Sequence, residues 1–185
     1  MNLSILPSDL PIPEDDGSCK HLLGKIIPDI SLSNQDGNDL KLKREASFRI
    51  VLYCYPMTGH PQKPLPPNWN NIPGARGCTP QTCSFRDHYD DLIKQNAIPI
   101  GVSTQSVSEL KEMVDRLHIP YDILSDRDLK FTKLIKLPTF KIKNFFFIKR
   151  LTLIIEKSFI KHVFYPVFPA DLHVKEVIEW LEVNK

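Results

Sequence analysis

Arg49-Ile50-Val51-Leu52-Tyr53-Cys54-Tyr55 carries, after its arginine, a continuous apolar run of strand length, closed by Pro56. It lacks the polar alternation of a strand with one wet face, so it is expected where both faces of a sheet are covered. Residues 97–104 (AIPIGVST) form a second such run, and Tyr121-Asp122-Ile123-Leu124 a shorter one leading into Ser125-Asp126. Helical patterns lie between these runs. Phe85, Tyr89, Leu92 and Ile93 recur at helical spacing and predict one amphipathic helix over 80–95, with a second over 107–117 and a short one over 128–135. Phe145-Phe146-Phe147-Ile148 reads as a core strand. Residues 151–155 and 161–165 flank a short turn and read as a hairpin. The last element is a helix capped by Asp171, with Val174, Val177, Ile178 and Leu181 on one face. At the other end, residues 1–23 form an extension with little periodicity, and a short element at 26–32 ends at the turn residues Asn34, Asp36 and Gly37. Alternating β and α segments that finish in a hairpin and a helix predict an α/β sandwich, a mixed central sheet flanked by helices, over residues 24–185.

The chain has 185 residues, enough for one domain with a core of its own. With 24 Lys+Arg against 22 Asp+Glu, the net charge of +2 supplies no electrostatic reason for a nucleic-acid or anionic-lipid partner. The N-terminus has no basic start, and Pro7, Pro11 and Pro13 break its apolar run, so no secretory signal is read there. No uninterrupted apolar stretch approaches the roughly 18 residues of a membrane span. The expectation is a cytoplasmic protein, where four cysteines are too few for a disulfide scaffold and a cysteine pair serves catalysis or metal binding.

Residues 57–77 carry Pro61, Pro64, Pro66, Pro67 and Pro73 and cannot form regular structure. A loop this long inside a domain is usually functional or disordered. It delivers the chain to Gly77-Cys78-Thr79-Pro80-Gln81-Thr82-Cys83. Cys78 stands at a helix start, where unsatisfied N–H groups and the positive end of the helix dipole favour an anion and hence a reactive thiolate. Pro80 suits a first helical turn, and Arg76 adds positive charge. Five residues along an ideal helix separate Cα atoms by about 8.6 Å. A disulfide needs less than about 7 Å. Cys78 and Cys83 therefore bridge only if the first turn opens, as in a pair that cycles between thiol and disulfide.

The segment Pro73-Gly74-Ala75-Arg76-Gly77-Cys78-Thr79, continued by Cys83-Ser84-Phe85-Arg86-Asp87, resembles the Q-type (bacterioferritin-comigratory-protein-like) peroxiredoxins. The likeness extends to Tyr55-Pro56, Ser125-Asp126 and the strand opening at Arg150. It implies a thioredoxin-like fold and a thiol peroxidase acting on hydrogen peroxide and organic hydroperoxides, without a cofactor. By that resemblance Cys78 is the peroxidatic cysteine and becomes a sulfenic acid. Cys83 resolves it as an internal disulfide, and thioredoxin or a similar dithiol reduces the product. Arg150 matches the arginine that holds thiolate and peroxide. A monomer or weak homodimer is expected. The chain departs from the family pattern in one place. The family has a proline seven residues, and a Thr or Ser three residues, before the peroxidatic cysteine, where this chain has Asn71 and Ala75. Pro56 lies 22 residues upstream instead, as if about fifteen residues were inserted, and Thr58 is the candidate for the missing hydroxyl.

Two other readings keep the fold. One is a thiol–disulfide exchanger or redox sensor using the Cys78–Cys83 pair. The other is a non-catalytic binding protein, motivated by Ala75. Cys54 reads as a core residue and Cys19 as an incidental thiol in a flexible region. A zinc site built from Cys78, Cys83, Cys19 and His21 lacks a second pair at the usual spacing and is not expected. His88 and His118 read as surface residues.

Overall fold

The computed structural model describes residues 6–7, 9–43 and 47–185. Its strands are β1 (Ser31–Asn34), β2 (Asp39–Lys41), β3 (Arg49–Cys54), β4 (Ala97–Ser103), β5 (Ile123–Ser125), β6 (Thr139–Ile142), β7 (Phe145–Ile148), β8 (Leu151–Glu156) and β9 (Phe159–Phe164). The α-helices are α1 (Cys78–Asp87), α2 (Tyr89–Lys94), α3 (Val107–Leu117), α4 (Lys130–Ile135) and α5 (His173–Val183).

Because strand side chains alternate, β3 supplies two cores at once. Ile50, Leu52 and Cys54 join a cluster with Phe131, Leu153 and Ile160 on one face. Val51, Tyr53 and Tyr55 join Phe85, Leu110, Val174 and Leu181, from α1, α3 and α5, on the other. The seven-stranded sheet runs β2-β1-β5-β4-β3-β8-β9. β3, β4 and β5 are parallel, and β8 and β9 add on antiparallel. This is the mixed, helix-flanked thioredoxin-like sandwich. Among the described residues no helix is long and apolar enough to cross a membrane.

Four local expectations need correction. The predicted helix over 80–95 breaks at His88, whose ring nitrogen lies 3.0 Å from the Ser84 carbonyl while its backbone leaves helical geometry (φ −106°, ψ 19°). Phe145–Ile148 is a core strand only at its end, where Ile148 is buried in the first core. It pairs only with β6 in a separate hairpin that leaves Phe145 67% and Phe146 43% exposed, while Phe147 packs on Trp69. Asp171 does not cap α5. The cap position is Leu172 with no side-chain bond, while the Asp171 carbonyl accepts from Ser84 Oγ at 2.7 Å. Cys19, read as flexible, is buried in the first core beside Leu22.

Candidate active site

The site begins with a turn that needs glycine. Gly77, the residue before α1, has φ +106°, and a β-carbon there would lie 2.9 Å from the Ala170 β-carbon. Gly77→Ala is expected to destabilise the fold by about 1–3 kcal/mol through backbone strain alone. The contact with Ala170 would add to that loss. Urea unfolding measures the sum, and an unchanged midpoint would contradict this reading of the turn.

Cys78 is the first residue of α1 and only 3% exposed. Arg150 Nη2 donates to its Sγ at 3.2 Å, and the Met57 backbone N–H donates at 3.4 Å. In the thiol form Sγ can donate to the Ala75 carbonyl at 3.5 Å. Two donors, one of them cationic, therefore meet the sulfur.

Sheet register brings Arg150 there across 72 residues of chain. Leu151 pairs with Cys54 in the antiparallel β3–β8 ladder, so Arg150 is level with the chain just beyond β3, next to Tyr55 and Met57. Arg150 is 3% exposed. Its Nη2 also faces the carbonyls of Gly74 (3.1 Å), Ala75 (3.4 Å) and Arg76 (3.0 Å). Its Nη1 donates to Gln81 Oε1. Among the described residues no carboxylate pairs with this guanidinium. A buried cation surrounded by neutral acceptors still calls for an anion, because carbonyl dipoles solvate a charge without cancelling it. The group placed to supply that anion is Cys78.

Thr58 is buried, and both its N–H and its Oγ1 donate to Gln105 Oε1, at 2.8 and 3.0 Å. The hydroxyl proton is thus committed to Gln105, and what reaches Sγ from this loop is the Met57 amide. Below α1, Tyr121 donates its hydroxyl to the Thr82 carbonyl at 3.0 Å, and Tyr53 stacks on Phe85 at 4.5 Å. Burial pushes the Tyr53 phenol well above its usual range, so it stays a neutral group at ordinary pH.

Cys83 lies one and a half turns along α1, half-buried and free, and burial pushes its thiol up against the pull of Arg86. Burial pushes Cys19 up to about 12 and Cys54 higher still, which leaves both unreactive near neutrality. Among the described residues no cluster of three or more His, Cys, Asp or Glu could hold a metal. His21, one of the zinc candidates, instead has Nε2 2.8 Å from the Ile135 carbonyl.

His173 opens α5 on the same side of the sheet. Its Nδ1 is 3.1 Å from Glu176 Oε2, and its Nε2 is 2.9 Å from Thr152 Oγ1. With Glu176 ionised, Nδ1 carries the proton and Nε2 accepts from the threonine. Burial first, then the charge of Arg150, pushes this imidazole down to about 3. Glu176 is largely exposed, so solvent screens its opposing pull. The unfolded chain therefore binds a proton at this residue before the native protein does. Stability should fall as pH drops below about 6.5 and go on falling towards 3, at up to about 1.4 kcal/mol per pH unit. Urea midpoints between about pH 7 and pH 4 report the slope. His173→Gln should flatten it, and an identical slope in the variant would contradict the assignment.

Of the residues singled out in the sequence, the fold brings Cys78 and Arg150 into contact, and Cys83 shares the helix that Cys78 opens. Sequence reasoning missed Gln81, fully buried one turn beyond Cys78, and the Met57 amide. For Gln81 the available signal was its place one turn after Cys78, on the same side of the helix. A backbone N–H leaves none.

A thioredoxin-like sheet that holds a buried arginine against a cysteine at a helix start marks a thiol-redox protein. The Redoxin family model matches residues 22–179, and the chain belongs to that family. Its relatives include peroxiredoxin Q of Gentiana triflora chloroplasts, 26% identical over 182 residues that cover 95% of this chain and 76% of that one. Peroxiredoxin Bcp of Escherichia coli K12 is 29% identical over 163 residues, covering 86% and 94%. Peroxidoxin BcpB from Mycobacterium tuberculosis has the same fold, with a TM-score of 0.72 at 22% identity, covering 88% of this chain and 97% of that one. The likeness to Q-type peroxiredoxins read from the cysteine segment therefore holds over most of the chain.

Proposed function

We propose that this redoxin is a cysteine-based peroxidase that reduces hydrogen peroxide and organic hydroperoxides through Cys78. The observation that carries the proposal is the 3.2 Å contact between Cys78 Sγ and a buried guanidinium that has no carboxylate partner among the described residues. The thiolate attacks the terminal peroxide oxygen. An S–O bond forms as the O–O bond breaks, and the leaving alkoxide or hydroxide takes a proton to become alcohol or water. Arg150 is placed to stabilise the negative charge as it moves from sulfur to oxygen. Cys78 is left as a sulfenic acid. The Cys83 thiol condenses with it, forming an S–S bond and releasing water. An external dithiol such as thioredoxin returns two electrons by thiol–disulfide exchange. A reducing, cytoplasmic setting would keep all four thiols available.

Forming that disulfide has a structural cost. Both cysteines belong to one helix, and closing from about 8.6 Å to below about 7 Å requires its first turn to open. Pro80 already leaves one N–H out of that turn.

One observation favours the exchanger reading instead: Thr58 turns its hydroxyl proton to Gln105, and Ala75 has no hydroxyl to offer a peroxide. A peroxide-consumption assay with thioredoxin, thioredoxin reductase and NADPH separates the two. The peroxidase consumes peroxide catalytically, whereas an exchanger oxidises NADPH only when a disulfide substrate is present.

A further inference from the structure

We infer that the β6–β7 hairpin docks on an anionic lipid membrane, with Phe145 and Phe146 entering the interface and nearby lysines meeting the headgroups. The inference does not depend on the peroxidase reading. It starts from a local charge excess that the near-neutral total hides. Between Asp128 and Glu156 the chain has six lysines and Arg150 but no acidic residue, so against +2 overall the remainder carries a net charge of −5. Arg150 is engaged with Cys78, Lys149 pairs with Asp16 at 2.7 Å, and Lys130 faces Asp128 at 3.6 Å. Among the described residues no carboxylate pairs with Lys133, Lys136, Lys141 or Lys143, all of them exposed. The first two lie at the end of α4, which stops three residues before β6, and the other two are in the hairpin itself.

The hairpin holds its aromatic tip out on a fixed stem. Phe147 packs edge-on against Trp69 at 5.1 Å, Phe140 stacks on Phe147 at 5.4 Å, and the Thr104 hydroxyl donates to the Phe146 carbonyl at 2.8 Å. Trp69 belongs to the loop over 57–77, which also has no acidic residue, so this support does not cancel the lysines. Cross-strand partners share a face, which places Lys141 beside Phe146 and Ile142 beside Phe145. Neighbours along a strand alternate, so Phe145 and Phe146 stand on opposite faces of the ribbon. Lys141 Nζ is 5.1 Å from the centre of the Phe146 ring, which joins charge and apolar surface in one patch.

That arrangement selects the partner. A protein surface laid against one face of the ribbon would leave the ring on the other face in water. A bilayer interface surrounds a tip that enters end-on and covers both rings, while lysine stems follow the apolar surface and their ammonium groups reach the phosphates. A second copy pairing tip to tip about a two-fold axis would bring Lys141 and Lys143 against their own counterparts. Nucleic-acid recognition favours the forked guanidinium of arginine, and all four unpaired cations are lysines.

The test mixes the full chain with phosphatidylcholine vesicles, plain or containing about one-third phosphatidylglycerol, and measures the bound fraction by co-sedimentation. Binding should require the anionic lipid and should fall roughly tenfold or more between about 50 and about 300 mM NaCl. One lysine near such a surface is worth about a factor of five, so Lys141→Gln with Lys143→Gln should weaken binding about 25-fold. Phe145→Ala with Phe146→Ala should weaken it roughly tenfold or more and leave the salt dependence in place. Circular dichroism checks the fold, and should the aromatic pair disturb it, Phe145→Ala alone should show a smaller loss in the same direction. A parent that ignores anionic vesicles, or binding that both paired variants leave unchanged, overturns the inference. So does a lipid-free dimer that the aromatic pair abolishes, which would make the tip a contact between copies of this chain. Tighter binding to a short DNA duplex than to the vesicles, lost in the lysine pair, overturns it in favour of nucleic acid.

Discussion

Cys78→Ser should reduce peroxide turnover to the uncatalysed rate while the protein stays folded. Serine fits the same volume, but its alcohol does not ionise near neutrality and cannot supply the anionic nucleophile. The buried guanidinium of Arg150 then faces only neutral acceptors, so a modest loss of stability should accompany the loss of activity. The coupled NADPH assay reads the activity, and circular dichroism confirms the fold. Turnover comparable to the parent would move the chemistry to another thiol.

Arg150→Met should slow the first oxidation of Cys78 by about 10²–10³-fold, the usual cost of removing one fixed donor from a developing charge. Methionine fills much of the space but leaves three carbonyls and Gln81 Oε1 without their donor. A stability loss of about 1–3 kcal/mol should follow. Arg150→Lys separates the two effects. It keeps the charge but not the planar fork, so it should recover part of the oxidation rate without restoring all of the carbonyl bonds. Stopped-flow oxidation under single-turnover conditions measures this directly. An unchanged rate in Arg150→Met would reduce Arg150 to an ordinary strand boundary.

The sequence was most legible where one physical cause dominated. Burial on both faces makes residues 50–54 apolar throughout, and that run located the centre of the sheet. The start of α1 was readable because glycine, cysteine and proline each carry a local backbone or electrostatic preference. Legibility failed where the cause was tertiary. The break at His88 depends on a ring finding the Ser84 carbonyl, while the helical spacing of apolar residues runs straight through it. Phe145 and Phe146 have core composition but sit on a hairpin outside the main sheet, turned at Lys143 with φ +52°. Gln81 meets Arg150, and the Met57 amide meets Cys78, only through sheet register and loop path. Spacing along the chain does not encode such meetings.

Peptide mapping of the protein after one equivalent of hydrogen peroxide, combined with amide exchange, is the decisive check on the paired-cysteine mechanism. That mechanism requires loss of two hydrogens by intact mass, a disulfide joining Cys78 to Cys83, and faster exchange across residues 79–84 than in the reduced protein, because the bridge must open the first turn of α1. A disulfide that instead engages Cys19 or Cys54, or a second chain, would contradict it, as would oxidation that spares Cys78.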